Sequence, residues 1–150
     1  MTGITAHVFP QFQQGLASKL QNLASDSIYC ALSNAAGPIG LATSGVQAAK
    51  LWSDWKTNVA AEITGTGYTA GGDLLTGVSI SVTGDVWTLT ATSPSWSSST
   101  ITANQAIWYD GTASTEQLIA FWDFGGAVSD TSGTYTLTIN ASGIVTATVS

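Results

Sequence analysis

The sequence predicts a mainly β, α+β fold: an antiparallel β-sandwich or barrel-like module with one or two N-terminal helices packed on it. Three observations lead there. Short apolar segments separated by turn residues recur from about residue 58 onward, at the ~8–12-residue spacing of sandwiches and barrels. Helical periodicity is confined to the first 57 residues. Between Ser99 and Gly125 lie two runs that are apolar without alternation, Ala106-Ile107-Trp108-Tyr109 and Leu118-Ile119-Ala120-Phe121-Trp122. A strand with one wet face alternates, so an unbroken run implies cover on both sides. One cover is the domain core; the other is a second layer, the N-terminal helices, or another subunit.

The totals bound the class. A chain of 150 residues reads as a single domain, 1–150, long enough to bury a real core. It divides into a lead (1–9), a helix-strand-helix region (10–57) and an antiparallel β module (58–150). Hydrophobic residues make up 44% and charged residues 8%, against roughly a quarter charged in an ordinary soluble domain. The surface is therefore dressed with Thr, Ser, Gly, Asn and Gln, which desolvate cheaply and suit lasting contact with neighbours. Net charge is −6, and the only cations are Lys19, Lys50 and Lys56. Phosphate binding needs clustered Lys and Arg, so neither nucleic acid nor an anionic membrane is an expected partner. Cys30 is alone, which excludes an intrachain disulfide. No secretory signal is visible, and no run reaches the ~18 apolar residues of a spanning helix. Folding in a cytoplasm is the expectation.

Element by element, Pro10 suits the first turn of a helix. Phe12, Leu16, Leu20 and Leu23 then keep helical spacing, predicting a helix over 10–24. Asp26-Ser27 ends it, Ile28 to Leu32 reads as a short buried strand holding Cys30, and Ser33 to Gly40 as a loop. A second helix is expected from about Ser44 to Thr57, with Trp52 and Trp55 either pinning it to the sheet or meeting a partner surface. Glu62 onward reads as a strand that passes into a glycine-rich loop, Gly65 to Gly72, packed by Tyr68. That loop lacks the Gly-Lys-Ser/Thr or GxGxxG of a phosphate cradle.

Two hairpins can be registered. Gly84-Asp85 fits a type II′ turn joining Gly77–Thr83 to Val86–Thr92. It sets Val82 opposite Trp87, Ile80 opposite Leu89 and Ser81 opposite Thr88, with the Ser/Thr side wet. Ala141-Ser142-Gly143 suggests a second hairpin that places Ile139 opposite Val145 and Leu137 opposite Ala147. Between them, Ser93 to Ser99 reads as a loop whose Trp96 is either exposed or caps the core.

Reactive residues are sparse. His7, the one histidine, sits in the lead, far from a plausible triad. His7 and Cys30 supply two donors where a zinc site needs about four. The nine acids are scattered. Asp110 and Asp123 fall at opposite ends of the paired runs, a poor arrangement for glycoside hydrolysis. Asp123 and Asp130 flank Gly125-Gly126, where turn capping outweighs a calcium site. No catalytic residue, cofactor or metal is expected. The six tryptophans keep sugar stacking as an alternative.

The motifs also carry a resemblance. His7-Val8-Phe9-Pro10, Gly65 to Gly72, Trp96 through Thr100-Ile101-Thr102-Ala103 to Ala106-Ile107-Trp108-Tyr109-Asp110, and Leu118-Ile119 with Asp123-Phe124-Gly125 resemble a group of small virion proteins of tailed bacteriophages, described as minor capsid or head decoration proteins. The resemblance implies a non-enzymatic structural protein made in the host bacterial cytoplasm and placed on the virion capsid surface. Its implied partner is the major capsid protein or another virion protein, and it would be a homo-oligomer, a trimer being a common form. A tail or fibre component that binds host glycan is the alternative. The interface residues expected on this reading are Ile4, Val8, Phe9 and Phe12 of the lead, which either reach a neighbouring subunit or clasp their own chain, with Trp108 and Trp122 as surplus apolar area.

Overall fold

The two unbroken apolar runs lie in long neighbouring strands. The computed structural model describes residues 4–35, 51–59, 61–112 and 116–148. In chain order these form β1 (Thr5–Val8), α1 (Pro10–Ala17), β2 (Ile28–Ser33), α2 (Trp52–Val59), β3 (Asp73–Leu74), β4 (Ser79–Thr83), β5 (Val86–Thr90), β6 (Ser95–Asp110), β7 (Leu118–Thr136) and β8 (Val145–Thr148). A five-stranded sheet has the order β1-β7-β6-β2-β3, and a three-stranded sheet the order β4-β5-β8. All strand pairings are antiparallel. The mainly β architecture with two helices is the one the sequence predicts.

Around the two apolar runs, both faces of the large sheet are covered from within the chain. Side chains alternate along a strand, so Ala106 and Trp108 face one way and Ile107 and Tyr109 the other. The first face packs against α1 and the small sheet through Phe12, Leu89, Trp122 and Val145. The second packs against Phe9 and α2, whose Trp52 and Trp55 meet Ile107, Tyr109 and Phe121. The indoles of Trp52 and Trp55 stack at 4.8 Å, and Trp52 stacks on the Tyr109 ring at 4.7 Å. Burying a large aromatic contributes about 3 kcal/mol, so this short helix is held mainly by two side chains. The cover left open between a second layer, helices and another subunit is thus the chain's own helix. Where Trp108 pairs with Ala120 and Tyr109 with Leu118 the register slips. Ile119 is the extra residue, and it joins Ala120 on the first face.

The first hairpin has the predicted register, with Val82 opposite Trp87, Ile80 opposite Leu89 and Ser81 opposite Thr88. Gly84 takes φ 60° while Asp85 stays at negative φ, which fits the type II′ turn. β2 also falls where expected, one residue longer.

Several expectations are corrected. α1 ends at Ala17, not near Ala24. The Lys19 amide donates to Leu16 O and the Leu20 amide to Gly15 O, and Lys19 takes φ 56°. This paired C-terminal motif stops the helix without a glycine. Leu51 forms an isolated bridge with Gln117, so the second helix begins at Trp52; the expected start near Ser44 and most of the 33–40 loop lie outside the described residues. Glu62 and Thr66 form only isolated bridges, to Ser33 and Thr100, rather than a strand. The Ser93–Ser99 segment is not a loop throughout, because Ser95 already enters β6, and Trp96 is buried against Tyr68 and Tyr135. The C-terminal hairpin does not form. β8 pairs with β5, setting Ala147 opposite Trp87 and Val145 opposite Leu89, while Leu137 N donates to Pro94 O. The lead is β1, paired along β7 from Thr5–Asp123 to Val8–Ala120.

Candidate contact surface

The chain crosses the edge of the large sheet just after β1, and this crossing builds the surface. Phe9 N donates to Ile119 O at 3.0 Å, and its ring packs on Phe121 in the second core. Pro10 opens α1, and two residues later Phe12 drops into the first core, 6.4 Å from the Trp87 ring. Leu16 follows on the same helix face and is half-buried. Opposite stand Trp87 of β5 and Val145 and Ala147 of β8. Between them runs an apolar groove of about 300 Å³, lined by Val8, Phe12, Leu16, Trp87, Val145 and Ala147, with Gln13 and Thr146 as its polar members.

The groove continues onto an uncovered part of the small sheet. Two cross-strand rows, Val82-Trp87-Ala147 and Ile80-Leu89-Val145, lie on one face. Leu89 and Val145 are buried, but Ile80 is 40% exposed and Val82 69% exposed. The core ends beneath β5, and β4 overhangs it.

The expected interface residues divide accordingly. Phe9, Phe12, Trp108 and Trp122 are buried within one copy and hold the fold; of the four only Phe12 borders the groove. Trp122 even donates its indole N–H to Ile144 O at 3.2 Å. Ile4 and Val8 are exposed, and only Val8 joins the groove. Sequence reasoning missed Ile80, Val82 and Trp87 as surface. Their alternating pattern signals an apolar face but not whether anything covers it. Of the six tryptophans all but Trp87 are buried, and Trp87 is partly buried; Trp96 has no exposed ring for sugar stacking.

The reactive side chains are dispersed and structurally engaged. His7 stacks on the Phe121 ring at 4.6 Å. Cys30 is fully buried, and burial followed by the nearby Asp73 pushes its thiol up. Asp123 accepts the Gly125 amide at 2.9 Å, while Asp130 accepts the Ser99 hydroxyl at 2.8 Å and the Gly133 amide at 3.1 Å. The glycine-rich loop is clamped by the Tyr68 hydroxyl, which donates to Glu62 Oε1 and accepts from the Leu32 amide. Burial, with Glu62 beside it, raises that phenol. Asp110 is buried beside Asp26, and burial pushes its carboxyl up to about 6, against the lowering effect of the Thr112 amide and hydroxyl. Among the described residues no group of three or more His, Cys, Asp or Glu is gathered where it could hold a metal ion, and no helix is long and apolar enough to cross a membrane.

No family model, curated protein or solved structure matches this chain.

Proposed function

We propose that this protein is a non-enzymatic structural component of a tailed-bacteriophage virion, bound to the outer capsid surface as a decoration or minor capsid protein. The observation that carries the reading is the apolar groove between α1 and the small sheet, continued by the overhanging β4. The 8% charged composition supports it, since little charge must be desolvated on contact. The dispersal of His7, Cys30 and the carboxylates into structural roles supports a contact function over a catalytic one. The motif resemblance supplies the virion context. Binding the assembled shell in preference to free subunits would stabilise it by mass action.

The test is co-sedimentation with purified heads of the encoding phage, prepared without this protein. Binding should saturate at a fixed copy ratio. Trp87→Asp and Val8→Asp should each weaken it about tenfold or more while leaving the circular dichroism spectrum unchanged. Heads that pellet without the protein at saturating concentration would end this reading. A tail or fibre glycan-binding module is the second reading, favoured by Trp87 standing beside Gln13 and Thr146 at the groove. It predicts glycan-array binding that Trp87→Ala abolishes.

A further inference from the structure

β4 is the outer strand of the small sheet, and all five of its residues are exposed. Thr83 and Val86 flank a two-residue turn, the position of a hydrogen-bonded pair. Ser79, Ser81 and Thr83 therefore direct their backbone groups to β5. The N–H and C=O groups of Ile80 and Val82 point outward, and among the described residues no other element pairs with them. Natural edges are blunted by lysine, proline or a bulge. This one has no charge or proline, and its register is unbroken. Its sequence, Ser79-Ile80-Ser81-Val82-Thr83, alternates polar and apolar symmetrically about Ser81.

We propose that β4 pairs antiparallel with β4 of a second copy about a two-fold axis through Ser81, joining two three-stranded sheets into one of six. In that register Ile80 lies opposite Val82 of the partner subunit, and Ser79 opposite Thr83 of the partner subunit. Like meets like on both faces. The outward groups of Ile80 and Val82 form the hydrogen-bonded pairs, and Ser81 meets its mate as a non-hydrogen-bonded pair. Charge at the seam does not oppose this partner. The chain carries −6, yet the nearest acid, Asp85, lies beyond the pairing. Thr83 and its mate are four residues apart along the seam, about 14 Å, and the two Asp85 carboxylates lie farther apart, beyond the screening length of about 8 Å at physiological salt. A five-residue seam buries well under the ~1,200 Å² of a stable interface. The contact is therefore weak in solution and gains strength where copies are held side by side. It is an isologous pair, unlike the trimer that the resemblance implies, and it stands apart from the virion reading: failure to bind heads would leave it intact.

The test uses the full chain. Sedimentation velocity from about 10 µM to about 1 mM should show mass shifting from monomer to dimer, and Val82→Lys, at an exposed site, should hold the chain monomeric with an unchanged circular dichroism spectrum. Under oxidised glutathione, which takes up the two electrons and two protons of two thiols, Ser81→Cys should form an intermolecular disulfide about tenfold faster than Ser79→Cys, because only position 81 meets its own mate. Buried Cys30 does not compete. Equal cross-linking rates at 79 and 81, a monomer up to about 1 mM, or a trimer would each overturn the proposal.

Discussion

The surroundings of the Asp110 carboxyl favour the neutral acid. Its Oδ1 accepts the Thr112 amide at 2.8 Å, while Asp26 stands beside it and adds to the preference for the neutral form. Burial raises its pKa to about 6, whereas in the unfolded chain it ionises near pH ~4. Between those values the folded state holds a proton that the unfolded state has released, so stability falls as pH rises from about 4 to about 6. Asp110→Asn keeps the neutral shape and the acceptor for Thr112. Its melting temperature should lie a few degrees above wild type at pH 7 and level with it at pH 4. Trp108 poses the opposite case. It is wholly buried and meets Trp122 edge-on at 5.0 Å. Trp108→Ala should cost about 3–5 kcal/mol in a urea titration, whereas a capsid-contact role alone would leave stability unchanged. The runs that carry Trp108 and Trp122 are legible in sequence as doubly covered. What covers them is not, because Trp52 and Trp55 lie more than fifty residues earlier in the chain.

Among the elements, β8 best separates local from long-range information. Ala141-Ser142-Gly143 is a sound hairpin signal, and Gly143 does take φ 70°, with its amide on Asn140 O. The turn nevertheless delivers β8 to β5, because Ile144 N reaches Leu89 O at 2.7 Å and Leu137 is drawn into the first core. A Cβ at position 143 would lie 2.4 Å from Leu89 O. Gly143→Ala should therefore cost about 2 kcal/mol or more, and amide exchange of Val145–Thr148 should rise more than that of β6. The Gly84-Asp85 hairpin was readable to the residue because its partner strand is the next one in the chain. The end of α1 was not, since Leu20 and Leu23 continue the helical spacing while Lys19 turns left-handed.

For the whole molecule, the features that bear on solution behaviour are low charge and one exposed edge strand, β4. The acids give −6 at neutral pH and an isoelectric point near 4.1, so repulsion between copies vanishes as pH falls toward 4. Self-association measured by light scattering should rise from pH 7 to about pH 4, and Val82→Lys should suppress that rise. A rise that survives Val82→Lys would place the association elsewhere than β4.

By itself the sequence determined the mainly β class, the first hairpin to the residue, the double cover over Trp108 and Trp122, and the scarcity of cationic side chains. These follow from local periodicity, turn chemistry and composition, which act between near neighbours. Only the tertiary structure decided that α2 supplies the second cover, that β8 joins β5, that Phe9 and Phe12 are sunk on opposite faces, and that Ile80 and Val82 stay wet. Each of those outcomes depends on which distant surfaces meet, and alternation along a strand records that a face is apolar without recording what arrives to cover it.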